Sequence, residues 1–435
     1  MRNVTNVNQE LSELDKKHFL HPTSPIKQQQ EHGPAFIFTK GDGVYLEDVN
    51  GNRVIDGMSS LWNVNIGHGR KELGQAAMEQ MNELAFSSCF ATFSNEPAIR
   101  LAAKLAEITP GDLSTTFFTS GGSESNDTAY KLARHYWILK GMPQKKKIIS
   151  CEKSYHGVAM GATSATGLKP FRDFTNSLAP DFYYTEHLSA QALRETIEAE
   201  GPETIAAFIA EPVQGAGGVH IVSEDYFKEV RELCNHYNIL LITDEVITGF
   251  GRTGKAFGME HYGVTPDMMC LAKGITSGYA QLGGVVLSES IHKDFMERSN
   301  GTLLHGYTYS GHPMACAVAL RNIEIIENEN LVENARNMGE EMLKGFQWIQ
   351  GERDLVGEVR GLGLMGAVEI LSQGKEPLAP AIVNEAASRG LICRSVVFDN
   401  QDTLVFAPPL TINKQEVEQM IEILHDAIHA IEHNL

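Results

Sequence analysis

Apolar and polar positions change rhythm along the chain. Between residues 36 and 57, FIFTKGDGVYLEDVNGNRVIDG reads as extended pieces, with Asp42-Gly43 and Asn50-Gly51 between them. That pattern predicts antiparallel strands joined by tight turns. A short helix is expected ahead of them. From about residue 70 to 325, helical stretches alternate with short runs that are apolar almost throughout. The clearest are TTFFT (115–119), KIISC (147–151), IAAFIAE (205–211), ILLITDE (239–245), MMCLAK (268–273) and GGVVLS (283–288). Several lack the alternation of a half-exposed strand and are rich in β-branched residues. They predict buried strands in a mainly parallel sheet covered by helices on both faces. Beyond 325, IEIIENENLVENARNMGEEMLKGFQWI predicts one long helix, GLGLMGAVEI and LVFAPPL predict strands, and NKQEVEQMIEILHDAIHAIEHNL predicts a closing amphipathic helix. The expected class is α/β. A large domain over 66–325 carries the parallel sheet, and a smaller α+β domain over 326–435 is joined by the N-terminal segment 1–65.

Size agrees with two domains, because 435 residues at 42% apolar content build more than one core. Lys+Arg number 36 against Asp+Glu 55, a net charge of -19, which repels phosphate backbones and argues against a nucleic-acid partner. Six scattered cysteines form no Cys-x-x-Cys pair, so neither a zinc site nor a disulfide framework is expected. Reduced thiols in a cytoplasmic setting are the expectation. The N-terminus is polar and carries acids, and no apolar run approaches the ~20 residues that span a bilayer. No membrane partner is expected.

In open α/β sheets, ligands bind beyond the carboxyl ends of the strands. Polar residues end several of the apolar runs: Glu211 after IAAFIA, Asp244 and Glu245 after ILLIT, Lys273 after MMCLA. TTFFT runs into Ser120-Gly121-Gly122-Ser123, a glycine-rich turn that opens a helix and offers N–H groups to a phosphate. Taken singly each has a bland explanation: a solvated loop lysine, a turn aspartate, a serine-capped helix. Together they supply what pyridoxal phosphate requires. An amine forms a Schiff base with the aldehyde, a carboxylate pairs with the ring nitrogen, and a cradle holds the phosphate. Tyr155, in Ser154-Tyr155-His156-Gly157 after KIISC, reaches the same edge and can stack on the ring.

These residues resemble the class III aminotransferases of the type I pyridoxal-phosphate fold. The similarity runs through GDGVYLEDVNGNRVIDG, FFTSGGSESND, YHG, AEPVQGAGG, DEVITGFGRTGKAFG, PDMMCLAKGITSGY, HGYTYSGHP and RGLGLMGAVEI, in family order. The resemblance implies that Lys273 carries the cofactor and shuttles the proton, and that Asp244 pairs with the ring nitrogen. It places Val246 and Tyr155 on opposite faces of the ring. Gly122, Ser123, His156 and Glu211 are implied around the cofactor, and Thr308 at the phosphate of a neighbouring subunit, hence a homodimer. Within the class the nearer similarity is to ω-amino-acid and amine:pyruvate aminotransferases. Trp62 and Phe90 then match pocket residues, and Arg394 matches a mobile arginine that binds the keto acid carboxylate. The implied activity is ping-pong transfer from an amine or ω-amino acid (β-alanine, taurine or a diamine) to a keto acid such as pyruvate. Departures are Ser-Gly-Gly-Ser-Glu-Ser in the cradle, Ala280-Gln281 after Gly-Tyr, and Ile247 where many members carry glutamine. Decarboxylation, racemisation and aminomutase chemistry share the same cofactor constellation. The arginine favours transfer over them.

One stretch points elsewhere. GFGRTGK (249–255) fits both Gly-x-Gly-x-x-Gly and most of a Walker A loop. The second lacks Ser or Thr after Lys255. The first needs a helix directly after its glycines, and AFGMEHYGVTPD is broken by Gly258, Gly263 and Pro266.

Overall fold

The computed structural model describes residues 4–372 and 376–433. Two N-terminal helices, Val4–His18 and Ile26–His32, precede three antiparallel strands, β1 (Phe38–Asp42), β2 (Tyr45–Asp48) and β3 (Arg53–Asp56). Gly43 and Gly51 make the two turns, as their positions after Asp and Asn predict.

A seven-stranded sheet follows. Its strands are β4 (Leu113–Thr119), β5 (Lys147–Cys151), β6 (Phe182–Thr185), β7 (Ile205–Ala210), β10 (Leu240–Asp244), β11 (Met268–Leu271) and β12 (Gly283–Ser288). A small hairpin, β8 (Val213–Gln214) and β9 (His220–Ile221), stands outside it. The order is β4-β12-β11-β10-β7-β5-β6, and β12 alone runs against its neighbours. Each of the six predicted runs is a strand of this sheet.

The missing alternation has a direct cause. On β7, Phe208 enters one core with Leu241 and Phe227, while its neighbour Ile209 enters another with Ile242 and Trp137. Both faces are dry, so successive residues are all apolar. Trp137, on the helix Gly122–Leu139, anchors the second core and donates its indole N–H to the Ala206 carbonyl. The edge strand β6 has no run of this kind. FYYT is half-buried aromatic sequence, and its strand character comes from pairing with β5.

The C-terminal part holds β13 (Val356–Leu362), β14 (Met365–Ile370), β15 (Leu391–Ile392), β16 (Arg394–Val396) and β17 (Thr403–Phe406), with four of them in a sheet ordered β13-β14-β17-β16. β15 instead pairs in parallel with β3, tying the two ends of the chain together. The long helix expected after 325 is two helices, Pro313–Asn328 and Leu331–Glu352. Asn330 breaks it by taking left-handed backbone (φ 51°), which asparagine adopts readily. The closing helix is Lys414–Glu432; the last two residues of the segment predicted for it lie outside the described residues. No described helix is long and apolar enough to cross a membrane.

GFGRTGK is a tertiary anchor. Arg252 is fully buried and donates to the Leu364 and Pro408 carbonyls, Ser59 Oγ and Asn65 Oδ1. A short 3-10 turn, Gly258–His261, follows the glycines, so the helix that a dinucleotide loop requires is absent there.

Candidate active site

The carboxyl edge of the large sheet gathers residues from five strands. β4 leads into the helix at Gly122, β11 into Lys273, β10 ends at Asp244, β7 is followed by Glu211 and β5 by Tyr155. The register sets Glu211 beside Asp244, one residue past the Thr243–Ala210 pair and about one strand spacing (roughly 5 Å) away, while Lys273 lies three residues beyond Cys270, the partner of Asp244 on β11. A cavity of about 120 Å³ opens there, lined by Gly122, Ser123, Asn126, Tyr155, His156, Glu211, Asp244, Val246 and Lys273 among others.

Lys273 opens the 3-10 turn Lys273–Ile275 with left-handed backbone (φ 48°). Its ammonium makes no hydrogen bond or ion pair to any described residue. Burial lowers its pKa to about 8, against the opposing pull of Asp244 and Glu211. Asp244 is buried and tightly held. Its Oδ2 accepts from Asn126 Nδ2 and from His156 Nδ1, each at 2.8 Å, and its Oδ1 accepts from the Val246 N–H at 3.0 Å. His156 Nε2 is buried and unpartnered, as is Asn126 Oδ1. Glu211 accepts from the Tyr155 and Gly215 N–H groups at 2.9 and 3.1 Å. Burial pushes its carboxyl up to about 7, and Asp244 adds to the rise.

The helix Gly122–Leu139 begins without a side-chain cap, so the serine-capped alternative does not hold. Its first-turn N–H groups face outward under the helix dipole. Gly122 is required by close approach: a Cβ there would stand 2.8 Å from Val246 Cγ1.

A second cavity, about 560 Å³, shares Tyr155, Ile247 and Lys273 with the first. Trp62, Phe171, Phe398 and Arg394 form much of its wall. Trp62 is both core and wall, being buried beside Met58 and Ile247 while facing the cavity. The Arg394 guanidinium makes no ion pair or hydrogen bond to any described residue. Phe90 and Thr308 are not brought in. Phe90 is half exposed and packs against Gly306, on the same exposed loop as Thr308.

Asn126, Phe171 and Phe398 escape the reading of the sequence. Asn126 had a signal, since it lies three and four residues beyond Ser123 and Gly122 on one helix face. The two phenylalanines come from distant segments with no marker.

The donor set fits pyridoxal phosphate. It offers an unpaired primary amine, an oriented carboxylate, two unsatisfied polar atoms and an uncapped helix start beside a glycine.

Comparison with known proteins agrees. The family described as Aminotransferase class-III matches residues 26–428. A putrescine–pyruvate aminotransferase of Pseudomonas aeruginosa is 38% identical over 97% of this chain and 96% of its own length. The solved structure of a transaminase from the marine bacterium Virgibacillus superposes with a TM-score of 0.96 at 53% identity, covering 98% of this chain and 99% of that one. An (S)-enantioselective ω-transaminase from Thermomicrobium roseum superposes at 0.93 with 46% identity, covering 97% and 98%. The chain therefore belongs to the class III aminotransferases, as a pyridoxal-phosphate-dependent enzyme of the type I fold that moves amino groups between amines and keto acids.

Proposed function

We propose that Lys273 and Asp244 carry the chemistry, that the acceptor is pyruvate or a close keto acid, and that the enzyme works as a cytoplasmic homodimer. One observation carries the assignment: Lys273 is an unpaired amine with its pKa near 8, next to an Asp244 locked by Asn126 and His156. Bound pyridoxal phosphate supplies an electron-withdrawing ring that takes up the electrons freed when the donor's C–H bond breaks. Lys273 Nζ, its pKa lowered by burial to about 8, would hold the cofactor's aldehyde and would carry the proton. Asp244 would pair with the ring nitrogen. The Gly122 and Ser123 N–H groups would hold the phosphate, and Val246 and Tyr155 would flank the ring. Glu211 fixes the Tyr155 backbone. Arg394, free of other partners, pairs with the keto acid carboxylate, and Trp62 walls the substrate side.

Amine donors of the β-alanine, taurine and diamine classes fit a cavity of this size. The relative named for putrescine and pyruvate supports pyruvate as acceptor. Exposed Phe86, Phe90, Phe93, Leu304 and Tyr309 support burial of that face against a second copy, which would bring the partner subunit's Thr308 and Phe90 to this site. Six unpaired cysteines, five of them buried, support a reducing compartment. In this reading 1–65 and 326–435 form the smaller domain around 66–325, supported by the β3–β15 pairing. A donor screen with pyruvate and added cofactor tests the proposal: alanine appears with at least one donor class. Alanine from none of them, with another keto acid aminated instead, contradicts pyruvate.

A further inference from the structure

The hairpin β16–β17 holds Arg394 at its root, opposite Val405. Its tip, residues 397–402, reaches the rim of the larger cavity, where Phe398 forms part of the wall. Phe398 packs edge-on against Phe171 at 6.1 Å between ring centroids, and Phe171 meets Tyr155 the same way at 5.3 Å. The tip then crosses to a different part of the molecule. His220, on β9, directs its Nε2–H at the Gly217 carbonyl and at Gln401 Oε1, each at 3.0 Å. Gln401 in turn donates to the Phe398 carbonyl from its side chain at 3.3 Å and from its backbone at 3.0 Å. Gln401 thus grips Phe398 with one end and the β8–β9 hairpin with the other.

The far side of this grip is itself fixed. Arg360, on β13, donates to the Gly218 and Val219 carbonyls. Gly218 has φ +124°, and a Cβ there would stand 2.6 Å from Gln401 Oε1, so a side chain at 218 would push the glutamine aside. The tip's far end is anchored separately: Asp402 is buried, its carboxylate accepts from the Leu378 and Ala379 N–H groups and its carbonyl from the Ile370 N–H, so the stretch that depends on Gln401 is 397–401. Asp399 and Asn400 are exposed and both left-handed, with φ of 54° and 61°. Burial, then Arg360 and Lys153, push His220 down to about 4, so it is neutral at working pH.

We propose that residues 397–401 are a latch over the substrate mouth, closed by the His220–Gln401 hydrogen bond, and that these two are positioning residues that hold Phe398 against the substrate's side chain. The proposal rests on the larger cavity being the substrate site. Gln401→Ala and His220→Ala each release the latch and loosen the wall at Phe398. Lys273 and Asp244 keep their places.

The test uses the cofactor-loaded enzyme with 1-phenylethylamine and with β-alanine as donors. Each single variant raises KM for 1-phenylethylamine about fivefold, the value of one hydrogen bond, with kcat within about twofold. KM for β-alanine stays near wild type, and the double variant is no worse than either single one. Hydrogen exchange at 397–401 speeds up in both alanine variants, a readout independent of turnover. A wild-type enzyme without transfer activity would sink the substrate-site reading, while the exchange data still judge the latch. Unchanged exchange, additive effects in the double variant, or equal losses with both donors would overturn it.

Discussion

Two buried lysines stand at opposite edges of the same sheet. Lys145 lies beneath the amino ends of its strands and Lys273 beyond their carboxyl ends. Burial lowers both to a pKa of about 8. Their surroundings could hardly differ more. Lys145 donates to three carbonyls, those of Pro202, Ile205 and Asn238, at 2.8–3.1 Å, and sits 4.6 Å from the Trp137 ring centroid. Its hydrogen-bonding capacity is used up. Lys273 has none of its capacity used and faces a cavity with acids on two neighbouring strands. A depressed pKa therefore reports desolvation alone. Unused valence, an adjoining cavity and a positioned partner are what separate a reactive lysine from a structural one.

That contrast can be broken by substitution. Lys273→Ala lowers transamination by at least about 10⁴-fold, because in its proposed role it is both the amine that holds the cofactor and the proton carrier, while thermal unfolding stays near wild type. A variant keeping a tenth of the activity would remove Lys273 from the centre of the account. Lys145→Met has the reverse profile. It leaves three buried carbonyls short of a donor and lowers unfolding free energy by about 3 kcal/mol, yet folded molecules turn over normally. A normal melting curve would show that those carbonyls find water instead. Arg394→Ala raises KM for pyruvate about tenfold or more and spares uncharged amines, as loss of a charged hydrogen-bond donor requires. Equal losses for both would count against a carboxylate-binding role. The smallest effect is one of rate: in cofactor-free enzyme, an acylating reagent labels Lys273 increasingly as pH rises through about 8, since only the neutral amine reacts. Lys145, enclosed by its carbonyls, stays unlabelled.

The sheet was legible because burial on both faces leaves a strong mark. β5 and β12 have the bounds of their apolar runs, KIISC and GGVVLS. Elements held by context left a weaker one. β6 is an aromatic edge strand, and the break at Asn330 is a local backbone choice inside a continuous helical pattern. The site divides the same way. Lys273, Asp244, Glu211 and Tyr155 follow from the rule that ligands bind at strand ends. Trp62 and Arg394 stand far away in sequence, on the N-terminal segment and on β16, and only family resemblance pointed to them. Phe171 and Phe398 meet through tertiary packing, which no short-range pattern encodes.

The most direct test loads the enzyme with pyridoxal phosphate, reduces it with borohydride and maps the modified peptide by mass spectrometry. The phosphopyridoxyl group should appear on Lys273 and be absent from Lys145. Finding it on Lys145, on another lysine, or nowhere after full loading would contradict the assignment.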